Sequence, residues 1–173
     1  MSHVSGFPPV VEQNARILIL GSMPGRVSLE EEQYYALPRN AFWRIMGDLF
    51  GAGLDLPYTV RLKKIVENRV ALWDVLESCY RPGSLDSAID TASARPNDFE
   101  NFFRRHSKTR HVFFNGKKAA DIYMRRVLPV IGDKFVEMTY RTLPSTSPAH
   151  ASMSYAEKLE KWSSLIRAVS QPD

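Results

Sequence analysis

A loop rich in glycine and proline, followed by aromatic residues and an asparagine, is the part of this sequence best suited to chemistry. The loop Gly21–Gly25 follows a short apolar run, Ile17–Leu20, which is typical of a buried parallel strand. Aromatic residues and Asn40 follow within the segment 34–43. The loop lacks the Lys-Ser/Thr ending of a P-loop and the third glycine of a dinucleotide fingerprint. Rings beside an amide instead favour a flat ligand, held by stacking and by hydrogen bonds.

Two further loops of similar composition follow later strands. Asn115–Lys118 comes after the third expected strand, and Ser145–His150 after the fourth. In a parallel sheet the carboxyl ends of the strands share one edge, so these loops and Gly21–Gly25 should converge there. Each loop alone is also compatible with a plain turn, because glycine and proline are common in turns. Together they predict a ligand site.

The elements that must position these loops alternate along the chain. Apolar runs separated by helical patterns predict an α/β fold: a three-layer α/β/α sandwich with a central four-stranded, mainly parallel sheet. The expected strands are Arg16–Leu20, Arg69–Val75, His111–Asn115 and Val136–Leu143, and the expected helices are Asn40–Phe50, Val60–Val66, Asn97–Arg105, Lys117–Val127 and a last helix from the capping box at Ser154 to Val169. No repeat or linker interrupts the 173 residues, so we expect one domain over residues 1–173.

Composition excludes several classes of site. Cys79 is the only cysteine, which rules out an intrachain disulfide and any zinc or iron–sulfur site built on several thiolates. The four histidines show no metal-ligand spacing, so we expect no metal and no other cofactor. The net charge of +4 is compatible with a polyanionic partner and equally with an ordinary basic enzyme. Without a signal peptide or a membrane-length apolar run, we expect a cytoplasmic monomer with no membrane partner.

An ordered set of motifs extends from Ile17 to the last helix, over nearly the whole chain. It consists of Gly-Ser-Met-Pro-Gly (21–25), Tyr-Tyr (34–35), Pro-Arg-Asn-Ala-Phe-Trp (38–43), Ala-Leu-Trp-Asp-Val-Leu (71–76), Gly-Ser-Leu-Asp-Ser (83–87), Phe-Phe-Asn-Gly-Lys-Lys (113–118) and Ser-Pro-Ala-His (147–150). This set resembles the uracil-DNA glycosylase superfamily, and most closely its hypoxanthine-DNA (deoxyinosine) glycosylase branch. The chain lacks the Gly-Gln-Asp-Pro-Tyr loop and the aspartate water activator of the classical uracil enzymes. Ser22 or Met23 stands where the mismatch branch has asparagine in Gly-Ile-Asn-Pro-Gly.

The resemblance implies a monofunctional DNA glycosylase that hydrolyses the N-glycosidic bond of hypoxanthine and/or uracil in base excision repair. It places the catalytic asparagine at Asn40. A neutral amide is no strong base, so its task would be to orient a water against the sugar. Asn40 is equally suited to be a helix N-cap. His150 could stabilise the departing base by a hydrogen bond or, if protonated, by its charge, although a surface-loop histidine is the alternative.

Base recognition would begin with a base flipped out of the helix into an aromatic slot. Tyr35, Phe42 or Trp43 could supply that slot, and the last two could equally be core residues of a helix. Asn115 offers a donor and an acceptor that match uracil and hypoxanthine, and its alternative role is that of a turn residue. The N–H groups of the first loop would stabilise charge on the leaving base. The expected base-binding residues are Gly21, Ser22, Met23, Pro24, Tyr35, Phe42 and Asn115.

The partner implied by the resemblance is DNA that contains a deaminated base. Basic side chains and the N–H groups of the serine-rich loop 145–147 would hold its phosphates, although any one cation could be an ordinary solvated charge. Met153 could be the wedge that fills the gap left by the base, or could staple the last helix. The expected DNA contacts are Arg39, Lys117, Lys118, Ser145, Ser147 and Met153.

Two other functions remain open at this point. One is a glycosylase chiefly for uracil in mismatches. The other is a non-catalytic α/β module that binds bases or nucleic acid and has lost its chemistry. An assay of base release from DNA separates these possibilities.

Overall fold

The computed structural model describes residues 2–172. The strands within this range are β1 (His3–Ser5), β2 (Ile17–Gly21), β3 (Val70–Asp74), β4 (Leu76–Tyr80), β5 (Arg95–Pro96), β6 (His111–Asn115) and β7 (Thr139–Leu143). The helices are α1 (Arg26–Glu31), α2 (Phe42–Phe50), α3 (Tyr58–Glu67), α4 (Phe99–Arg105), α5 (Lys117–Ile122), α6 (Leu128–Ile131), α7 (Tyr155–Trp162) and α8 (Ser164–Ser170).

The central sheet has four strands in the order β3-β2-β6-β7. All three pairings are parallel, with Ile17 opposite both Val70 and His111, and His111 opposite Thr139. Every residue of β2 and β3 is buried, which explains why these strands are continuous apolar runs rather than alternating ones. The predicted α/β fold with a four-stranded parallel sheet is confirmed.

A separate hydrophobic core lies on each face of this sheet, because successive strand residues point to opposite sides. Ile17 and Ile19 of β2 pack in one core with residues of α2, α3 and α8. Leu18 and Leu20 pack in the other with residues of α4 and α5. Helices therefore cover both faces, as the predicted three-layer sandwich requires.

A small antiparallel sheet, β1-β4-β5, was not predicted. Its strands have three, five and two residues, and β1 pairs with β4 across more than seventy positions of the chain. Only Val75 separates β3 from β4. The chain therefore leaves the central sheet directly into β4, which leads to the loop 81–87.

Several element boundaries differ from the predictions. Val136 is 81% exposed in a turn, and β7 begins only at Thr139. The helix predicted to run from Lys117 changes to a π-helical turn over Tyr123–Val127. Pro129 explains this change, since in a regular α-helix its ring would meet the carbonyl four residues earlier, and a wider turn avoids the clash.

The predicted last helix is divided into α7 and α8. Ser163 lies between them, and its hydroxyl donates to the Glu160 carbonyl, while the Ser164 hydroxyl donates to the Lys161 carbonyl. Serine hydroxyls that bond back to the preceding turn are known to bend helices. The described helices include none that is long and apolar enough to cross a membrane.

Candidate active site

A cavity of about 530 Å³ lies at the edge where the parallel strands end. The three loops identified in the sequence all line it, through Gly21–Gly25, Asn115 and Ser145–His150. Their predicted convergence is confirmed. Asp74, at the end of β3, and the segment 84–87 complete the wall, and neither was among the expected site residues.

The first loop approaches its neighbours so closely that only glycine fits at position 21. A Cβ atom on Gly21 would lie 2.6 Å from Asp74 Oδ1 and 3.0 Å from the Tyr35 hydroxyl. The carbonyls of Gly21, Ser22 and Pro24 accept hydrogen bonds from elsewhere in the protein, and the Ser22 hydroxyl donates to Asp86 Oδ1 at 2.5 Å. The backbone N–H groups of Ser22 and Met23 are separate donors, and no described residue accepts a hydrogen bond from them.

The Asn115 side chain is buried and held by Thr146. Asn115 Nδ2 donates to Thr146 Oγ1, and the Thr146 N–H donates to Asn115 Oδ1, both at 2.9 Å. One N–H and one lone pair of the amide remain unused by these two bonds. The next residue, Gly116, has φ +94°, and a Cβ there would lie 3.1 Å from Ser145 Cβ. The second and third loops are thus in close contact.

Of the two tyrosines that line the cavity, Tyr34 donates its hydroxyl to the Pro8 carbonyl, and Tyr35 remains the candidate for stacking on a flat ligand. Its ring stacks on Phe42, with centroids 4.0 Å apart and an angle of 25° between the planes. Phe42 is fully buried and does not line the cavity, and Trp43 is buried with its Nε1 donating to the Tyr34 carbonyl. The expectation that Phe42 or Trp43 forms the slot is therefore corrected. Phe42 and Trp43 lie on the face of α2 that packs in the core. Phe42 contacts the Tyr35 ring from the core side.

Asn40 lines the cavity one residue before the cap of α2. Its Oδ1 accepts the N–H of Phe42 at 2.9 Å, while Ala41 occupies the N-cap position and donates its N–H to the Thr146 carbonyl at 3.0 Å. The side chain therefore closes a local turn rather than capping the helix in the usual way. No described residue accepts a hydrogen bond from Asn40 Nδ2.

His150 also lines the cavity, and its loop is fixed by α7. Lys158 Nζ donates to the His150 carbonyl at 2.8 Å. Desolvation lowers the pKa of Lys158. The His150 N–H donates to the Ser147 carbonyl at 3.0 Å, which closes the end of the loop.

The serine-rich loop uses much of its own hydrogen-bonding capacity. The Ser145 hydroxyl accepts the Ser147 N–H, and the Ser147 hydroxyl accepts the Ala149 N–H, both at 3.2 Å. The Thr146 N–H is already taken by Asn115. The N–H groups of Thr146 and Ser147 therefore already have acceptors within the protein, so the expectation that they bind phosphate is corrected. The DNA-binding roles of Ser145 and of the Ser147 side chain stay predictions.

The remaining expected DNA contacts lie outside the cavity wall. Arg39 and Lys117 are exposed. Lys118 is half-buried, and its charge partly opposes the rise that burial causes in the pKa of Asp86. Met153 is half-buried just before Ser154, whose hydroxyl accepts the Glu157 N–H at 3.2 Å in the predicted capping box. The DNA-binding roles of these four residues stay predictions.

Two carboxyl groups of the site were not predicted from the sequence, the buried Asp74 and the half-buried Asp86. Asp74 is 4% exposed, and burial raises its pKa to about 7, helped by repulsion from Asp86 and opposed by Arg81. Burial also raises the pKa of Asp86 above its usual range, against the Ser22 hydrogen bond and the charges of Arg81 and Lys118. Asp74 pairs in register with Gly21, so its place at a strand end was a usable signal. The turn that holds Asp86 carries no periodic pattern.

Arg81 holds the loop 81–87 against the first loop. Its guanidinium is 1% exposed and donates to the Gly83 carbonyl at 3.0 Å and the Pro24 carbonyl at 2.6 Å. The N–H of Arg26 in turn donates to the Ser84 hydroxyl at 2.8 Å. These bonds hold the loop that carries Asp86, and the Ser22 hydroxyl fixes the carboxyl itself.

The fold and the cavity define an α/β protein with a candidate ligand site at its strand ends, and sequence comparison identifies its class. The profile of the Uracil DNA glycosylase superfamily matches residues 8–168. The chain therefore belongs to the uracil DNA glycosylase superfamily.

Particular relatives place it more narrowly. It is 37% identical over 163 residues to a protein named hypoxanthine DNA glycosylase from Methanosarcina acetivorans, a match that covers 94% of this chain and 97% of the relative. A hypoxanthine DNA glycosylase from Methanosarcina barkeri is 40% identical over 117 residues, which cover 67% of this chain and 73% of the relative. The NMR solution structure of a candidate uracil DNA glycosylase from Methanosarcina acetivorans superposes with a TM-score of 0.81 at 35% identity, covering 98% of this chain and all of that one.

Proposed function

We propose that this protein is a monofunctional DNA glycosylase that hydrolyses the N-glycosidic bond of deaminated bases, with hypoxanthine as a substrate and uracil as the related one. The observation that carries the proposal is the single cavity wall shared by Tyr35, Asn115 and Asn40. This reaction requires an aromatic ring that stacks on the base, an amide that hydrogen-bonds to the base, and a second amide that orients water toward the sugar. Membership of the uracil DNA glycosylase superfamily and the names of both Methanosarcina relatives support it.

Recognition of the base follows from the hydrogen-bonding capacity of Asn115 that Thr146 leaves open, at an amide that also faces the Tyr35 hydroxyl. One N–H and one lone pair of its amide match a ring that carries a carbonyl beside an N–H. Hypoxanthine and uracil both present that edge, whereas adenine and cytosine present the opposite pattern. The ring of Tyr35 would stack on the base, and a mismatched edge would leave buried polar groups unpaired.

Cleavage transfers the bonding electron pair to the base and leaves positive character on the sugar. The unused N–H groups of Ser22 and Met23 can bind a carbonyl of the departing base, as donors of an oxyanion hole do. His150 can donate a further hydrogen bond from the opposite loop. Asn40 Oδ1 keeps a second lone pair that can accept a hydrogen from water, which directs the water oxygen at the sugar.

Release of free base from defined DNA duplexes tests the proposal. We expect release of hypoxanthine and uracil from double- or single-stranded DNA without added metal, with no strand cleavage and no adduct trapped by borohydride. Release of uracil only, and only from mismatches, would favour the mismatch-type enzyme. Binding without release would favour a non-catalytic module. Loss of activity with a chelator and recovery with zinc or magnesium would contradict the metal-free mechanism.

Asn115→Asp should lower kcat/KM for hypoxanthine by at least tenfold while the protein stays folded. The substitution replaces the N–H that would face the base carbonyl with an acceptor, so attraction becomes repulsion. Steady-state or single-turnover base release measures the effect. Asn101→Asp is the matched control, because Asn101 is exposed on α4 and its substitution makes the same change of charge. Normal activity of Asn115→Asp on every base would contradict the recognition role.

The double substitution Lys117→Ala and Lys118→Ala should weaken DNA binding and reduce its dependence on salt. Removing one lysine–phosphate interaction lowers the slope of log affinity against log salt by about one. Binding measured at several salt concentrations gives the slope. The adjacent lysines Lys63 and Lys64 on α3 supply a matched double variant, since neither lines the cavity. Equal slopes for the two double variants would mark Lys117 and Lys118 as ordinary surface charge.

A further inference from the structure

Asp74 presents an unused hydrogen-bonding atom to the candidate active site. It lines the cavity at the end of β3 and is 4% exposed, yet its Oδ2 has no hydrogen-bond partner among the described residues. The nearby Tyr35 hydroxyl is also buried, and Asn115 is the polar side chain that interacts with it. Buried polar atoms without partners are costly, and they are found where a ligand completes the bonding.

The surroundings of Asp74 favour its neutral form. Burial and the neighbouring Asp86 raise its pKa to about 7, and Arg81 is the opposing cation. Tyr34 and Tyr35 face it with neutral hydroxyls, whose own pKa values are raised by burial and by the Asp74 charge. Near neutral pH a substantial fraction of Asp74 therefore carries a proton, and a protonated carboxyl gives up its proton far more readily than the amides, hydroxyls and backbone N–H groups of this wall.

On the basis of the function proposed above, we propose that protonated Asp74 is the acid that gives its proton to an imidazole-ring nitrogen of the departing hypoxanthine. The bond between N9 and C1′ breaks with its electron pair going to N9, while the proton moves from Asp74 to N7. The base leaves neutral, and Asp74 becomes a carboxylate. Water adds to C1′ and releases one proton, which restores the acid form of Asp74 directly or through solvent.

This assignment makes Asp74 a residue that favours purines. If Asn115 reads the carbonyl and N–H of hypoxanthine, the nitrogens N3 and N7 remain as the acceptors on the rest of the ring. Uracil has no imidazole nitrogen, and the charge of its anion spreads over two carbonyls instead. A proton donor on this wall therefore accelerates loss of hypoxanthine more than loss of uracil.

Single-turnover release of hypoxanthine from pH 5 to pH 9 tests the proposal in wild-type protein, Asp74→Asn and Asp86→Asn. The wild-type rate should fall as pH rises through about 7, because only protonated Asp74 is active. Asp74→Asn should lower the rate about a hundredfold and abolish that fall, while affinity for DNA with a non-cleavable deoxyinosine analogue stays within a few fold. Its loss on hypoxanthine should exceed its loss on uracil at least tenfold.

Asp86→Asn provides the second measurement. Removing the negative neighbour should make Asp74 a stronger acid and move the falling limb of the profile to lower pH, whatever the maximal rate becomes. This shift keeps the proposal testable if Asp74→Asn fails to fold. If the wild-type enzyme is active and Asp74→Asn is equally active, Asp74 is not the acid. The same conclusion follows if Asp86→Asn leaves the falling limb of the pH profile in place. Both outcomes leave the proposed function standing. A wild-type protein that releases no base would refute the proposed function itself.

Discussion

Asn40→Ala should lower single-turnover release of the base by about a hundredfold or more, with DNA binding within a few fold of wild type. The reason is that Asn40 lines the cavity with an Nδ2 group and a lone pair that the protein does not use, both suited to hold a water. The same variant loses the hydrogen bond from the Phe42 N–H to Oδ1, so we expect a stability loss of about 1 kcal/mol. Rapid-quench kinetics and urea denaturation measure the two effects separately.

Two controls distinguish chemistry from helix stability. Asn40→Asp keeps an acceptor for the Phe42 N–H but removes the N–H₂ donors and adds a charge. Asp98→Ala removes the cap of α4, where the Asp98 carboxylate accepts the Asn101 N–H away from this cavity, and should cost a similar free energy without affecting the rate. If Asn40→Ala cleaves as fast as wild type, Asn40 serves only the local turn.

Asp74→Asn should stabilise the folded protein at pH 8 by on the order of 2–4 kcal/mol, and much less at pH 4. The folded-state pKa of about 7 lies above the ordinary value of 3.8. Between those two values the folded protein holds a proton that the unfolded chain releases. Wild-type stability therefore falls as pH rises through this window, and the penalty is complete above about pH 7. The amide carries no such penalty.

Urea denaturation at several pH values measures this difference. Asp133→Asn is the matched control, because it removes a carboxyl group that is exposed between α6 and β7. A stability gain for Asp74→Asn that is the same at every pH would contradict the prediction. A gain that grows from about pH 4 and levels off above about pH 7 would show that the native site retains a group at the expense of stability, as functional sites commonly do.

The parallel sheet could be predicted because its strands are continuous apolar runs, and burial on both faces leaves that mark in the sequence itself. The pairing of β1 with β4 leaves no such mark. Each strand is short, and what makes it a strand is a partner more than seventy positions away. Local sequence patterns indicate which residues prefer burial. They do not indicate which distant segment a short strand will pair with.

The site shows the same division. Convergence of the three loops follows from the parallel order of the strands, and it was predictable. The roles of Phe42 and Tyr35 were not separable, since an aromatic on a helix face has the same spacing whether it lines a cavity or supports the residue that does. The burial of Asp74 depends on the loop 81–87, which Arg81 ties to the Pro24 carbonyl. Nothing local to Asp74 indicates that cover.

Thr146 links Asn115 to the segment that carries Asn40 by hydrogen bonds. Its backbone N–H and hydroxyl hold Asn115, and its carbonyl accepts the N–H of Ala41, the residue beside Asn40. If the proposed roles hold, a base that displaces Asn115 also disturbs the turn that carries Asn40. Discrimination between bases then appears in the rate of the chemical step as well as in affinity. A wrong base can occupy such a site and still escape cleavage.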